Sequence, residues 1–135
     1  VSGSMDHHGN FDSWWEAQGG WYEQQGFTKA QVKSWKMSNG FNKGDIIVLR
    51  GSKILNPGDI IVFQGNSDNP IIHRIIQVEK EKEKLFYTTK GDANPDSSDY
   101  LGEVNIPKER IIGKAIFKIP YLGWIKVLFS QLFGF

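Results

Sequence analysis

The sequence predicts a mainly β protein, an antiparallel sheet joined to a short helical segment. Two observations carry that expectation. From Gly44 onward, short runs rich in Ile and Val are separated by Gly, Pro, Asn and Asp, the residues that make turns. Ahead of them, residues 11–37 are rich in Trp, Gln and Glu and poor in β-branched side chains. The 135 residues suit one domain with a modest core, spanning 1–135.

The helical segment comes first. Ser13-Trp14-Trp15-Glu16 has capping-box spacing, so a helix is expected over 14–25, with Gly26 as its stop. Gly19-Gly20 weakens it. Thr28-Lys29-Ala30-Gln31 repeats the box, and Phe27 and Val32 fall at staple positions on either side of the cap. A second helix is therefore expected over 29–36.

Strands are expected over 45–50, 59–63, 70–78, 85–90 and 111–119. Gly44-Asp45-Ile46-Ile47-Val48-Leu49-Arg50-Gly51 is echoed by Gly58-Asp59-Ile60-Ile61-Val62-Phe63-Gln64-Gly65. The unit is too short for a solenoid and reads as two similar strands entered by the same Gly-Asp turn. Continuous apolar runs imply strands buried on both faces, or with one face against a membrane. The alternating Lys and Glu of 79–84 mark a solvated turn or strand end. Residues 119–135 are nearly all apolar, yet shorter than the roughly 20 residues of a membrane span. They fit a core element, a truncated span or a membrane-contacting helix, for which Tyr121 and Trp124 are suited.

Composition removes several function classes. A net charge of +1 gives no electrostatic case for nucleic acid. The absence of cysteine excludes disulfides, thiol catalysis and thiolate zinc sites. The chain starts abruptly at Val1, without the basic and apolar lead-in of a signal peptide, as a truncated chain would.

Three places could carry chemistry. Ser4 could be a nucleophile, given a base and oxyanion donors; Gly3-Ser4-Met5 by itself equally fits a cloning remnant. His73, within Pro70-Ile71-Ile72-His73-Arg74-Ile75-Ile76, reads either as a hydrogen-bonded core histidine or as a general base, since imidazole titrates near about 6.5. Arg74 beside it points to the opposite face. Lys90 to Asp99 reads either as a polar loop or as the source of a carboxylate that holds the His73 tautomer. Asp92, Asp96 and Asp99 are the candidates, and spacing does not choose among them. Asp6-His7-His8 resembles the metal-binding run of certain phosphoesterases. Such sites draw on further Asp and His residues from earlier strands, so no metal and no other cofactor is expected. A looser site of Asp6, His7, His8 and Asp12 would be unspecific.

Taken in order, the motifs resemble type I signal peptidases of the archaeal and endoplasmic-reticulum type. The resemblance runs through Ser2-Gly3-Ser4-Met5, Lys43-Gly44-Asp45-Ile46-Ile47-Val48-Leu49, Pro57-Gly58-Asp59-Ile60-Ile61-Val62-Phe63 and Pro70-Ile71-Ile72-His73-Arg74. It continues through Thr89-Lys90-Gly91-Asp92-Ala93-Asn94, Ile112-Gly113-Lys114 and Ile119-Pro120-Tyr121-Leu122-Gly123. It implies a signal-peptidase-like antiparallel sheet and an endopeptidase that removes signal peptides from secreted preproteins. Ser4 would be the nucleophile and His73 the base, at the strand position where bacterial members use lysine. Ser2 would match an oxyanion-hole position. Asp92 matches the first aspartate of the family pattern. The second falls six residues on, where this chain has Ser98, so Asp99 is the expected partner of His73, Asp92 a supporting acid and Asp96 the rival.

The resemblance further implies a transmembrane anchor just before Ser4 and a catalytic domain on the extracytoplasmic side of the cell membrane. Membrane lipid and the secretion translocon join the preproteins as expected partners. Two departures stand out: Asp6-His7 replaces the usual Glu-Pro, and a Trp-rich insertion fills 8–42. Two other readings compete. One is a non-enzymatic binding module with Trp14, Trp15, Trp21 and Trp35 as stacking platforms. The other is a self-cleaving repressor-type serine protease, which would want lysine at position 73.

Overall fold

The computed structural model describes residues 3–42, 44–66, 68–97 and 102–119. Two helices, α1 (Phe11–Gln24) and α2 (Lys29–Ser34), precede six strands. These are β1 (Ile46–Arg50), β2 (Ile60–Phe63), β3 (Ile71–Glu81), β4 (Lys84–Lys90), β5 (Ile106–Pro107) and β6 (Ile111–Ile119). They form one antiparallel sheet in the order β1-β6-β2-β3-β4-β5. The mainly β expectation holds; β5, two residues long, was not expected.

Helix α1 begins at Phe11, earlier than the capping box at Ser13 implied. Asn10 is the cap, its side chain accepting the Ser13 N–H at 2.9 Å. The earlier start brings both Phe11 and Trp14 into the core. Gly26 does end the helix, at φ 93°. Its N–H donates to the Glu23 carbonyl, and the Phe27 N–H to the Tyr22 carbonyl, both at 3.0 Å. That pair of bonds is the Schellman closure of a helix end. At α2 the Thr28–Gln31 capping box is complete, and Phe27 packs with Val32 as the staple requires.

The sequence echo is one turn built twice. In Asn42–Asp45 and again in Asn56–Asp59, the Asn carbonyl accepts the Asp N–H at 3.0 Å. In both, the Asp carboxylate accepts the Asn N–H at 2.9 Å. Gly44 and Gly58 sit at φ 99° and 97°, which a side chain would resist. The two strands that follow flank β6, and Asp45 and Asp59 reach its Lys118 and Lys114 at 3.9 and 3.4 Å. Burial separates them. β2 is buried at Ile60, Ile61 and Phe63, whereas β1 is an edge strand with Ile46 and Leu49 exposed.

Alternation along the strands divides the core. Leu55, Ile61, Phe63, Ile75, Tyr87 and Ile106 form one cluster. On the other face, Ile76 packs against Phe11, Trp14, Tyr22 and Val32 of the helices, and Ile60 against Met5 and Phe41. The helical segment and the first turn of the chain therefore cover the same side of the sheet. No helix among the described residues is long and apolar enough to cross a membrane. The apolar stretch from 120 onward lies outside the described residues.

Candidate active site

Successive residues of β3 face opposite sides of the sheet, so His73 and Arg74 diverge. Both are buried, at 3% and 2% exposure. The His73 ring lies edge-on to Phe63, with centroids 6.4 Å apart. Its Nδ1 meets the carboxylate of Glu103. Its Nε2 turns toward Gly91, where a Cβ would lie 2.9 Å from Nε2 and 2.9 Å from the Ser4 carbonyl oxygen. The missing side chain at Gly91 is what lets the first turn of the chain approach the imidazole.

That first turn is a single 3-10 turn, Gly3–Met5, and it is anchored on two sides. The Ser4 carbonyl accepts the Ala93 N–H at 2.8 Å, and the Met5 carbonyl accepts the Phe41 N–H at 2.8 Å. Met5 is wholly buried, and its sulfur accepts the Asp92 N–H at 3.4 Å. Ser4 is half-buried. Ser2 and Asp99, both expected at the site, lie outside the described residues.

Asp92 takes a position other than the supporting one expected beside His73. Its carboxylate receives Arg74 through Nε at 3.0 Å and Nη2 at 2.9 Å, and His7 through Nε2 at 2.8 Å. Arg74 also donates to the carbonyls of Lys36, Met37 and Gly58, each at 2.8 Å. The register explains the assignment: Lys90, the last residue of β4, pairs with Arg74, so the chain leaves the strand beside the guanidinium that Asp92 then meets. Burial alone would raise the Asp92 pKa, but the Arg74 charge and the hydrogen bonds from His7 and Arg74 outweigh it and bring it down to about 2. Asp96 is exposed and accepts Trp21 Nε1 at 3.1 Å.

Lys90 is fully buried. Its ammonium donates to the Gly91 carbonyl at 3.0 Å and the Tyr22 hydroxyl at 3.1 Å, beneath the Trp21 and Tyr22 rings. Burial pulls its pKa down to about 8, against the opposing pull of Asp92, Glu103 and Asp96. Burial, followed by the Asp92 charge, pushes the Tyr22 hydroxyl far up.

Sequence reasoning missed two of these side chains. His7 sits in a run noted for metal binding and as a departure from the family pattern, and not as a partner for Asp92. Its imidazole stacks on Trp14 at 4.2 Å and 7°, while His8 turns outward beside Asp6. Trp14 also donates Nε1 to the Asp92 carbonyl at 2.7 Å. Trp14 is buried, and Trp15, Trp21 and Trp35 pack against the same cluster, so the tryptophans form a core and not an open row of platforms. Glu103 was overlooked because three aspartates stood nearer in sequence. Its signal was its setting, as the only charged residue in the stretch 101–107.

No protein-family model matches the chain. Among curated proteins, it is 34% identical over 67 residues to "Signal peptidase complex catalytic subunit SEC11" of Metarhizium robertsii, covering 47% of this chain and 39% of that protein. The Sclerotinia sclerotiorum counterpart is 36% identical over 67 residues, with the same coverage. "Signal peptidase complex catalytic subunit SEC11C" of Homo sapiens is 32% identical over 68 residues, covering 47% of this chain and 35% of that protein. The match thus spans less than half the length of these relatives.

Proposed function

We propose that this chain, a distant homologue of catalytic subunits of the signal peptidase complex, is a serine endopeptidase that removes signal peptides from secreted preproteins. Ser4 is the nucleophile in this reading and His73 the general base. The observation that carries it is the common approach of His73 Nε2 and the Ser4 backbone to Gly91, each 2.9 Å from one point. Two residues 69 positions apart, each ambiguous by itself, come near the same glycine, which supports a shared role in acyl transfer.

In the reaction, His73 Nε2 takes the Ser4 hydroxyl proton as Oγ bonds to the scissile carbonyl carbon. The C–N bond breaks as His73 returns the proton to the departing amine. Water then attacks the ester with His73 again as base, freeing the signal peptide and restoring Ser4. Small side chains before the cut would be selected because shallow pockets exclude large ones. The same reading sets the domain at the extracytoplasmic face of the cell membrane, in contact with lipid and the secretion translocon.

The test is cleavage of a preprotein by the chain and by its Ser4→Ala and His73→Ala variants, with product mapped by mass spectrometry. Both substitutions are expected to lower kcat by roughly 10³-fold or more. Cleavage by Ser4→Ala at the unmodified rate would remove Ser4 as nucleophile.

A further inference from the structure

We infer that Glu103 is the carboxylate that orients His73, filling the place for which an aspartate between 92 and 99 was expected. The consequence for catalysis rests on the serine peptidase reading; the orientation itself does not. Glu103 is fully buried, and its side chain meets His73 Nδ1 directly. An acceptor at Nδ1 holds the proton there and leaves the Nε2 lone pair directed outward. That outward direction is toward Gly91 and the Ser4 segment.

The backbone prepares Glu103 for this position. The Glu103 carbonyl accepts the Thr89 N–H at 2.9 Å, and Thr89 is paired with Ile75 of β3. The loop is thus fastened to the strand next to that of His73. Gly102 and Asn105 on either side adopt positive φ, 77° and 54°, which turns the chain inward between the two anchors. Asn105 N–H then reaches Thr88 Oγ1 at 3.3 Å. Among the described residues, the two aspartates of the 92–99 stretch have other partners: Asp92 holds Arg74 and His7, and Asp96 holds Trp21. Lys90 is the nearby cation, close enough to interact electrostatically with both Glu103 and Asp92.

Glu103 is a positioning residue in this scheme, so its test reads the imidazole itself. Nitrogen NMR of the unmodified chain, with His73→Gln used for assignment, should find neutral His73 protonated at Nδ1. Glu103→Gln should weaken the Nδ1–H tautomer in favour of Nε2–H. Asp99→Asn should leave the Nδ1–H tautomer in place. Glu103→Asp, which keeps the charge, should retain the Nδ1 tautomer. In preprotein cleavage, Glu103→Gln should lose roughly 10²–10⁴-fold in kcat with KM little changed, and Glu103→Asp should recover part of it.

A proton on Nε2 in the unmodified chain would overturn the inference, even if Glu103→Gln fails to fold. So would an Asp99→Asn variant that shifts the His73 tautomer while Glu103→Gln does not. The peptidase reading fails separately, through undiminished cleavage by Ser4→Ala, and the NMR result would stand without it.

Discussion

Asp92 gathers more charge than any other described side chain near the site, and its neighbours decide what its loss would do. Arg74 and His7 both point at it from within the protein, where neither can turn to water. Asp92→Asn would leave the Arg74 guanidinium buried without its counter-charge. Breaking one partner of such a pair costs roughly 3–5 kcal/mol, so urea unfolding of Asp92→Asn should show a loss of that order. A loss below about 1 kcal/mol would mean that the Lys36, Met37 and Gly58 carbonyls suffice for Arg74. His7 explains why two departures from the signal-peptidase pattern come together. The residue in place of the expected proline hydrogen-bonds Asp92, and the insertion supplies the Trp14 ring that stacks on it. Each looked arbitrary in sequence because a contact between positions 7 and 92 leaves no local trace. The Glu103–His73 contact was hidden for the same reason, whereas Ser4 and His73 could be singled out as candidates through motifs of a few adjacent residues.

At the scale of elements, what depends on neighbouring residues was readable and what depends on packing was not. The Thr28 capping box and the twofold Asn-x-x-Asp turn are set by residues within a few positions of one another, and both form as their spacing implies. The start of α1 was misplaced because Asn10 and Ser13 are both competent caps. Burial of Phe11 selects the earlier one. The pairing of β5 with β4 rests on two residues, too few to show alternation. Two substitutions separate local from tertiary contributions. Thr28→Ala removes one side of the box and should cost about 1 kcal/mol in thermal or urea unfolding. Gly58→Ala should cost more, roughly 2–4 kcal/mol, because it adds strain at φ 97° to a methyl only 2.4 Å from the Trp35 ring. Equal losses for the two would show that Trp35 moves aside freely.

For the molecule as a whole, buried ionisable groups should write themselves into the pH dependence of folding. Asp92 ionises at about 2 in the folded chain against 3.8 ordinarily, so between those values the unfolded chain binds more protons. Its contribution is complete above the ordinary value and is lost as pH falls toward 2. Lys90 acts at the other end. Its pKa falls from 10.5 to about 8 on burial, so between those limits the unfolded chain again holds more protons and stability rises with pH. Tyr22 reverses the trend above about pH 10, because its folded-state pKa is raised and the unfolded chain loses the phenol proton first. The combined contribution of Lys90 and Tyr22 is therefore greatest near pH 10. Urea unfolding at constant ionic strength should show stability climbing by roughly 1–2 kcal/mol from pH 8 to pH 9.5, at no more than about 1.4 kcal/mol per pH unit for a difference of one bound proton. Lys90→Met keeps the length of the side chain and removes the titration, so its curve should be flat over that interval. A rise that persists in Lys90→Met would assign the effect to another group, and a flat curve in the unmodified chain would mean that the Tyr22 hydroxyl and the aromatic rings solvate the ammonium as well as water does.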